Sequence, residues 1–460
     1  MFLPKRVVQP RFGLGHNICT ALNLICKLNW TENEISIILG LEPSRIYRVF
    51  NGYDWDQLTM AFGHQREQGR RLLLREIERH GRIPRIDLSE VTGISRATVT
   101  TITADLLRDG LISEVPREVD ADTRRGRPRV DLKINGAAHM VAGIKVSDTS
   151  ISLMLLDFEG TQLAELEVPM PKGAKPSAEL ALLIKAATTS LVALTGKTMA
   201  DLSGIGVGLA GVVDAQNGTV YWSPSLQDSN INFRDVLSDA IGVPAYLDND
   251  ANLVAMAEKS FGLGREHSDF IVVTIESGVG MGIVLNNQIY RGTRGCGAEF
   301  GHTKVQLEGA MCRCGQRGCL EAYVADYALV REAESVGLIP PDTPRDLRIE
   351  TLLAAAKDGT PMAEKIVQRA GRMFALGLAN LVNIFDPELI ILSGEQMQFD
   401  HLFAQEVIEA MRTSIVQIDK PPPDVVIHKW GNLMWARGAA AYALDFVHEM
   451  AAKDIRDDAI

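Results

Sequence analysis

The sequence predicts an α/β protein whose two-lobed C-terminal part follows a smaller helical unit. Three observations support this prediction. Up to about residue 110, apolar residues recur at helical spacing between glycines, whereas from Ala142 onward short β-type runs alternate with helical ones. The chain has 460 residues, enough for two or three domains. Finally, cysteines, a histidine and acidic residues cluster between 292 and 321, within the second part.

The bulk composition is that of a soluble globular protein. Hydrophobic residues make up 46% of the chain, enough for sizeable cores, and no apolar run approaches the roughly 18 residues of a membrane-spanning helix. The amino terminus has no apolar signal core. We therefore expect a cytoplasmic protein that does not contact a membrane.

Charge is distributed unevenly along the chain. The net charge is −11, which taken alone argues against a nucleic-acid partner. Residues 1–135, however, carry 21 Lys and Arg against 17 Asp and Glu, while the remainder carries 26 against 41. This asymmetry indicates that only the N-terminal part of the chain contacts the phosphates of a nucleic acid.

The first segment, residues 1–62, contains three short helical patterns between 17 and 52. Gly40 separates two of them, and the second carries Arg45, Tyr47 and Arg48. This arrangement resembles an extra helix-turn-helix. A helical cap on the following domain explains the pattern equally well, and both interpretations stay open.

The second segment, residues 63–136, predicts a winged helix-turn-helix. Successive helices are expected to end at Gly81, Gly93 and Gly110, and the third has a good N-cap in Ser95. Val99, Ile102 and Leu106 share one face of that helix and should be buried. Small and hydroxylated residues on the other face suit close approach to base edges in the major groove. The predicted DNA-contacting residues of this helix are Ser95, Arg96, Ala97, Thr100 and Thr101.

Two strand patterns after the third helix predict a wing with a basic loop between them. The loop contains Arg124, Arg125, Arg127 and Arg129 within six residues. A solvated turn is the plain interpretation. The position directly after a recognition-type helix favours insertion of these arginines into the minor groove, where the potential is negative.

Residues 137–460 are predicted to form two lobes built from mixed sheets and helices. The patterns are a pair of strands joined by a tight turn, a strand ending in a glycine loop, a strand entering a helix, and a hairpin. They occupy 141–160, 202–214, 244–258 and 270–286 respectively. The recurrence of such units predicts a cleft between two similar halves.

A four-ligand metal site is the strongest local signal in the chain. Cys312, Cys314 and Cys319 lie within eight residues, and His302 precedes them by ten. One imidazole and three thiolates form a closed tetrahedral set for Zn²⁺, which would be structural because no position stays open for water. The alternative is a group of reduced cysteines in a loop or core. A metal here would also fix the flanking carboxylates of Glu299 and Glu321.

The segments GAEFGH and CRCGQRGCLE resemble the signature of the ROK family of repressors and sugar kinases. The resemblance implies an actin-like fold, of the sugar-kinase or ribonuclease-H-like kind, in the C-terminal part, where the C-terminal helix packs back on the first lobe and completes it. It also implies that the His and three Cys bind structural zinc. The segment LDNDAN resembles the sugar-binding motif of the family, whose Asp is the general base in the kinases. The implied sugar-binding residues are Asn249, Asp250, Glu299, His302 and Glu321.

The nucleotide-binding loops depart from the kinase pattern of the family. Lys145 stands where the first loop of the kinases has an acid, and Ser147 and Asp148 replace two glycines. Glu276 and Glu395 bring further negative charge into the other two loops, and an acid there repels phosphate. We therefore expect that the chain has no catalytic residue. Asp250 would occupy the position of the kinase base, in a degenerate form that no longer acts as one.

These observations predict a sugar-responsive regulator, a repressor of genes for sugar metabolism or transport, without kinase activity. Its partners would be operator DNA, a sugar effector and a second copy of the chain, as a homodimer or a higher oligomer. The alternative is a sugar kinase that carries a DNA-binding domain. A third possibility is a regulator that ignores sugars and responds to zinc or redox state at its cysteines.

Overall fold

A computed structural model describes residues 55–116, 130–275, 278–394, 405–428 and 433–453, with side chains from residue 66 onward. Several predictions fall outside these ranges: the helices between 17 and 52, the four wing arginines at 124, 125, 127 and 129, and the acidic residues Glu276 and Glu395. The chain divides into a smaller N-terminal unit and a larger unit formed mainly by residues 133–451.

The N-terminal unit contains the three helices and the two strands that the sequence predicts. In chain order they are α1 (Trp55–His80), α2 (Arg85–Thr92), α3 (Arg96–Arg108), β1 (Ile112–Pro116) and β2 (Val130–Ile134). The two strands pair with each other. Gly81, Gly93 and Gly110 follow the helices with φ values of 68°, 68° and 72°, a left-handed conformation that glycine adopts without strain. The predicted boundary at 62/63 falls inside α1 and stays a prediction.

The third helix packs as its apolar pattern predicts. Val99, Ile102 and Leu106 are at most 3% exposed. Ser95 is the N-cap, and its Oγ accepts a hydrogen bond of 3.2 Å from the backbone N–H of Thr98. The predicted inward face of α3 is therefore confirmed, which leaves the opposite face available to solvent.

The larger unit contains two five-stranded sheets, a three-stranded sheet and nine described helices. The strands are β3 (Met140–Val146), β4 (Ser150–Asp157), β5 (Gln162–Pro169), β6 (Gly204–Leu209), β7 (Val212–Asp214), β8 (Thr219–Trp222), β9 (Ile231–Asn232), β10 (Ala245–Asn249), β11 (Phe270–Ile275), β12 (Val279–Leu285), β13 (Gln288–Tyr290), β14 (Leu389–Ser393) and β15 (Asp424–Ile427). The helices are α4 (Ser177–Ala193), α5 (Phe233–Ile241), α6 (Asp250–Phe261), α7 (Glu321–Val324), α8 (Asp326–Ser335), α9 (Arg348–Lys357), α10 (Pro361–Phe385), α11 (Gln405–Ser414) and α12 (Met434–Ala452).

Both five-stranded sheets have the same topology. The first has the order β5-β4-β3-β6-β10 and the second the order β13-β12-β11-β14-β15. In each sheet the first three strands run antiparallel, each to the next, and the last two strands are parallel to the third. This repetition confirms the predicted two-lobed, actin-like architecture.

Glycines in the sheets allow two helices to approach the strands closely. A Cβ atom on Gly206 of β6 would lie 1.8 Å from the backbone oxygen of Ala439, and one on Gly143 of β3 would lie 1.9 Å from that of Ala436. Helix α12 therefore packs directly on the first sheet, as predicted for the C-terminal helix. Gly282 of β12 allows the same approach for α6, where a Cβ would lie 2.6 Å from the oxygen of Ala251.

None of the described helices is long and apolar enough to cross a bilayer.

Candidate functional site

The four predicted metal ligands lie together in the second lobe. The ligand atoms of His302, Cys312, Cys314 and Cys319 are all within 4.8 Å of one another. The Sγ atoms of Cys314 and Cys319 are 3.7 Å apart, and Cys312 Sγ is 3.7 Å from His302 Nδ1. A tetrahedral zinc with Zn–S bonds of about 2.3 Å separates two sulfur ligands by about 3.8 Å. The donor set and its spacing therefore fit a metal ion.

Glycines shape the loop that presents the thiols. Gly315 and Gly318 have φ values of +83° and +77°, which non-glycine residues rarely adopt. A Cβ atom on Gly318 would also lie 1.8 Å from the backbone oxygen of Gln306. The loop is closed by a hydrogen bond of 2.8 Å from the N–H of Cys312 to the oxygen of Gln316. This curled backbone turns cysteines that are close in sequence towards one point.

A lysine adds positive charge beside the thiols. Lys304 Nζ is 2.9 Å from Cys319 Sγ, and this hydrogen bond raises the pKa of Lys304. An ammonium at this distance favours the thiolate form that a metal requires. The sequence analysis did not identify this lysine, because an isolated lysine two residues after a histidine carries no recognisable pattern.

The metal ligands adjoin both predicted sugar-binding glutamates. His302 uses Nδ1 towards Cys312, while its Nε2 lies 3.9 Å from Glu299 Oε2. Glu321 is 9% exposed, and its Oε1 lies 3.6 Å from Cys312 Sγ. Both carboxylates therefore adjoin the cluster, Glu299 beside the histidine ring and Glu321 beside Cys312.

The carboxylates of Glu299, Glu321 and Asp250 lie close enough to one another for their charges to interact. Partial burial raises the pKa of Glu299, an effect that His302 opposes. The negative charges of Glu321 and Asp250 add to the increase in this pKa. Such a group of acceptors suits a ligand with several hydroxyl donors, and it disfavours an added anion.

Asn249 and Asp250 lie where β10 passes into α6. Asn249 Oδ1 caps the helix by accepting from Ala251 N–H at 2.9 Å, and its Nδ2 donates to the oxygen of Gly211 at 2.8 Å. Asn249 thus ties the helix to the glycine loop between β6 and β7. Its carbonyl oxygen still has a lone pair that can accept from a ligand.

Lys145 forms an ion pair with Asp250. The side chains are 12% and 23% exposed, and Lys145 Nζ lies 5.4 Å from the centre of the Trp435 ring. Lys145, at the position where the resemblance leads us to expect an acid, therefore contacts Asp250, at the position where it leads us to expect the kinase base. Sequence analysis identified the substitution at Lys145 but not this pairing, since 105 positions separate the two residues.

A buried ion pair joins β10 to the segment that carries Glu299. Asp248 is fully buried, and Arg291 donates to its Oδ2 from Nε at 2.8 Å and from Nη2 at 2.6 Å. The backbone oxygen of Arg291 accepts from Gly297 N–H at 2.8 Å, which closes the loop before Glu299. This pair links the two halves of the candidate sugar site, and no sequence signal identified it.

The predicted DNA-facing residues of α3 are all exposed. Ser95, Arg96, Ala97, Thr100 and Thr101 lie on the face opposite the core. The hydroxyls of Thr100 and Thr101 donate to backbone oxygens one turn earlier, at 2.8 and 3.2 Å. The surface therefore presents methyl groups and hydroxyl lone pairs, both of which can read base edges.

Two family models match this chain. The ROK family model matches residues 141–445, and a model described as winged helix-turn-helix DNA-binding matches residues 70–113. The xylose repressor of Caldicellulosiruptor bescii is 29% identical over 347 residues, covering 74% of this chain and 86% of the repressor. The N-acetylglucosamine repressor of Escherichia coli O157:H7 is 29% identical over 349 residues, covering 75% of this chain and 84% of that protein.

Solved structures extend the comparison. A ROK family transcriptional regulator, described as a homologue of the E. coli MLC protein, superposes with a TM-score of 0.70 at 25% identity, covering 85% of this chain and 99% of its own. The ROK hexokinase of Thermus thermophilus gives 0.57 at 30% identity, covering 67% and 99%. The regulator thus accounts for more of the chain than the kinase does. Because the matching model spans about two thirds of the sequence, the chain belongs to the ROK family, with a winged helix-turn-helix in front of its ROK domain.

Proposed function

We propose that this protein is a transcriptional repressor that binds operator DNA through its winged helix-turn-helix and a sugar through its ROK domain. The relatives named xylose repressor and N-acetylglucosamine repressor support this class of function. The ion pair between Lys145 and Asp250 is the observation that favours a regulator over a kinase.

The DNA-binding half would act as a dimer. Helix α3 would enter the major groove, and the arginines between β1 and β2 would reach phosphates or the minor groove. Two copies of the chain would read two half-sites about one helical turn, or a multiple of it, apart. The exposed small and hydroxylated face of α3 supports this arrangement.

The ROK half would hold the effector through hydroxyl acceptors. Glu299 and Glu321 would each accept from sugar hydroxyls, Asn249 and Asp250 would provide further acceptor oxygens, and His302, bound to the metal through Nδ1, would donate from Nε2. Carboxylates that bind hydroxyls in a partly buried site discriminate well, because an unpaired buried acid is costly. The sugar would bias closure of the lobes, and its effect on DNA binding is limited by its differential affinity for the two states.

The metal would be zinc with a structural role. His302 and the three cysteines form a closed set that leaves no position for substrate, and bound zinc would order the loop beside Glu299 and Glu321.

Phosphoryl transfer is not expected from this site. A general base must reach the proton of the attacking hydroxyl, and in this structure the carboxylate of Asp250 is occupied by its contact with the ammonium of Lys145. We expect no phosphorylation of D-xylose, D-glucose or N-acetyl-D-glucosamine above background in a coupled assay for ADP. Turnover near the ~1–100 per second of typical kinases would instead support the alternative of a kinase with a DNA-binding domain.

Replacing Glu299 with alanine is expected to abolish the sugar response while sparing operator binding. The substitution removes hydroxyl acceptors from the cleft, and hydrogen bonds to charged groups contribute about 1.5–3 kcal/mol each, so sugar affinity should fall at least about tenfold. DNA affinity with and without sugar would be measured by fluorescence anisotropy. The control is Glu266→Ala, which removes an exposed carboxylate elsewhere in the same domain. Loss of DNA binding by a folded Glu299→Ala variant would contradict the proposal.

A further inference from the structure

Tyr327, in the first turn of α8, lies between the thiol cluster and one of the sugar-site carboxylates. Its hydroxyl is 3.2 Å from Glu321 Oε1 and 3.6 Å from Cys312 Sγ. Neither the ROK signature segments nor the cysteine spacing includes this tyrosine. It is nevertheless a residue whose side chain contacts both a metal ligand and a candidate sugar ligand.

The loop that presents the cysteine thiols, residues 312–319, itself positions Tyr327. Arg313 lies between two of the cysteines, and its guanidinium carbon is 3.7 Å from the centre of the Tyr327 ring. The backbone N–H of Arg313 also donates to the Tyr327 hydroxyl at 3.4 Å. The hydroxyl oxygen therefore accepts from Arg313 through a lone pair. Its single proton can donate to one neighbour at a time. Ordering of residues 312–314 by a metal would therefore order Tyr327.

Glu321 has few donors to fix its carboxylate. Among the described residues, Tyr327 and Cys312 are the side chains that can donate to Oε1, while Oε2 is 3.4 Å from the backbone N–H of Val279. Of these two side chains, the tyrosine is the nearer to Oε1, at 3.2 Å for its hydroxyl oxygen against 3.6 Å for Cys312 Sγ. The tyrosine hydroxyl is also the stronger donor, because a thiol S–H is a weak one.

We propose that Tyr327 is a positioning residue, which transmits the order of the His/Cys3 cluster to Glu321 and so sets the affinity of the site for sugar. This inference rests on the proposed function. A carboxylate that accepts from two sugar hydroxyls must hold its plane in a fixed orientation, and a donor on its far side provides that orientation. Without the phenol hydroxyl, Glu321 would keep only the long contacts to the backbone N–H of Val279 and to Cys312 Sγ, and its carboxylate could rotate.

The test is Tyr327→Phe in the full-length, metal-loaded protein, with Tyr323→Phe as the matched control. Tyr323 lies four residues earlier, in α7, and contacts the residues that lead into the same loop, because its hydroxyl accepts from Ala310 N–H at 2.7 Å. No contact joins the Tyr323 hydroxyl to Glu321 among the described hydrogen bonds. Affinity for D-xylose, D-glucose and N-acetyl-D-glucosamine would be measured by calorimetry, metal content by mass spectrometry, and stability by thermal melting.

Tyr327→Phe is expected to weaken sugar binding about tenfold, the effect of losing one hydrogen bond to a charged group, while retaining one metal per chain. Tyr323→Phe should leave sugar affinity within about twofold of the wild type, although it removes a loop contact. Equal affinity in the wild type and Tyr327→Phe would overturn the positioning role, as would equal weakening by both substitutions or loss of metal from Tyr327→Phe. If the wild type binds none of the three sugars, the proposed sugar function fails and this inference fails with it.

Discussion

Replacing Cys319 with serine is expected to release the metal and to lower the thermal stability of the ROK domain sharply. Cys319 is fully buried, and its Sγ lies 3.7 Å from that of Cys314. Structural zinc contributes on the order of 10 kcal/mol to folding in small zinc domains, where the site does not exist before the metal binds. Here the surrounding lobe has its own core, so we expect a loss of several kcal/mol. Metal content by mass spectrometry and the midpoint of thermal unfolding would measure both effects.

Cys296 provides the matched control for this prediction. It precedes Glu299 by three residues and is a free thiol, but it is not one of the four clustered ligands. Cys296→Ser should therefore keep one metal per chain and melt close to the wild type. A wild-type protein that holds no metal, together with an unchanged melting temperature in Cys319→Ser, would show that the cluster is only a group of reduced cysteines.

Removing the metal with a chelator also distinguishes a regulator that responds to sugar from one that responds to zinc or redox state. If zinc only supports the sugar site, removing it should abolish the sugar response together with the order of the loop that holds Glu299 and Glu321. If the protein instead responds to zinc or redox state at its cysteines, chelation should change operator affinity while sugars have no effect before or after it. Operator binding with and without sugar, measured on both metal-loaded and chelated protein, distinguishes these outcomes.

The features that sequence predicted correctly are those encoded within a few residues. The helix ends at Gly81, Gly93 and Gly110 follow from glycine's access to positive φ, and the cap at Ser95 follows from local hydrogen bonding. The cysteine cluster was equally accessible, because three thiols within eight residues can meet only by a tight turn of the backbone. The two-lobed fold was predicted from the recurrence of strand and helix patterns.

The features that sequence analysis missed join residues that lie far apart in the chain. Lys145 was interpreted as the loss of an acid, while the structure shows that it also neutralises Asp250. This pairing depends on the packing of β3 beside β6 and of β6 beside β10, which brings the ends of these strands together. Tyr327 is close in sequence to the metal loop but belongs to no recognisable motif. Its role emerges only when α8 packs against that loop.

Replacing Arg291 with methionine is expected to destabilise the protein by about 3–5 kcal/mol, because it leaves the fully buried carboxylate of Asp248 without its cation. Asp248 Oδ1 would still accept from Asn252 Nδ2 at 2.8 Å, but Oδ2 would lose both guanidinium contacts.

A second substitution separates the unpaired charge from a simple loss of packing. If burial of an uncompensated carboxylate causes the instability, adding Asp248→Asn to Arg291→Met should recover part of the lost free energy of unfolding, since an amide in that position carries no charge. Arg291→Lys should be intermediate, because an ammonium keeps the charge but cannot reproduce the two-pronged contact. Urea unfolding of the wild type, the two single variants at Arg291, Asp248→Asn and the double variant would complete the cycle. Additive losses in the double variant would mean that Arg291 contributes through its packing against Tyr442, whose ring centre is 5.2 Å from the guanidinium carbon, rather than through its charge.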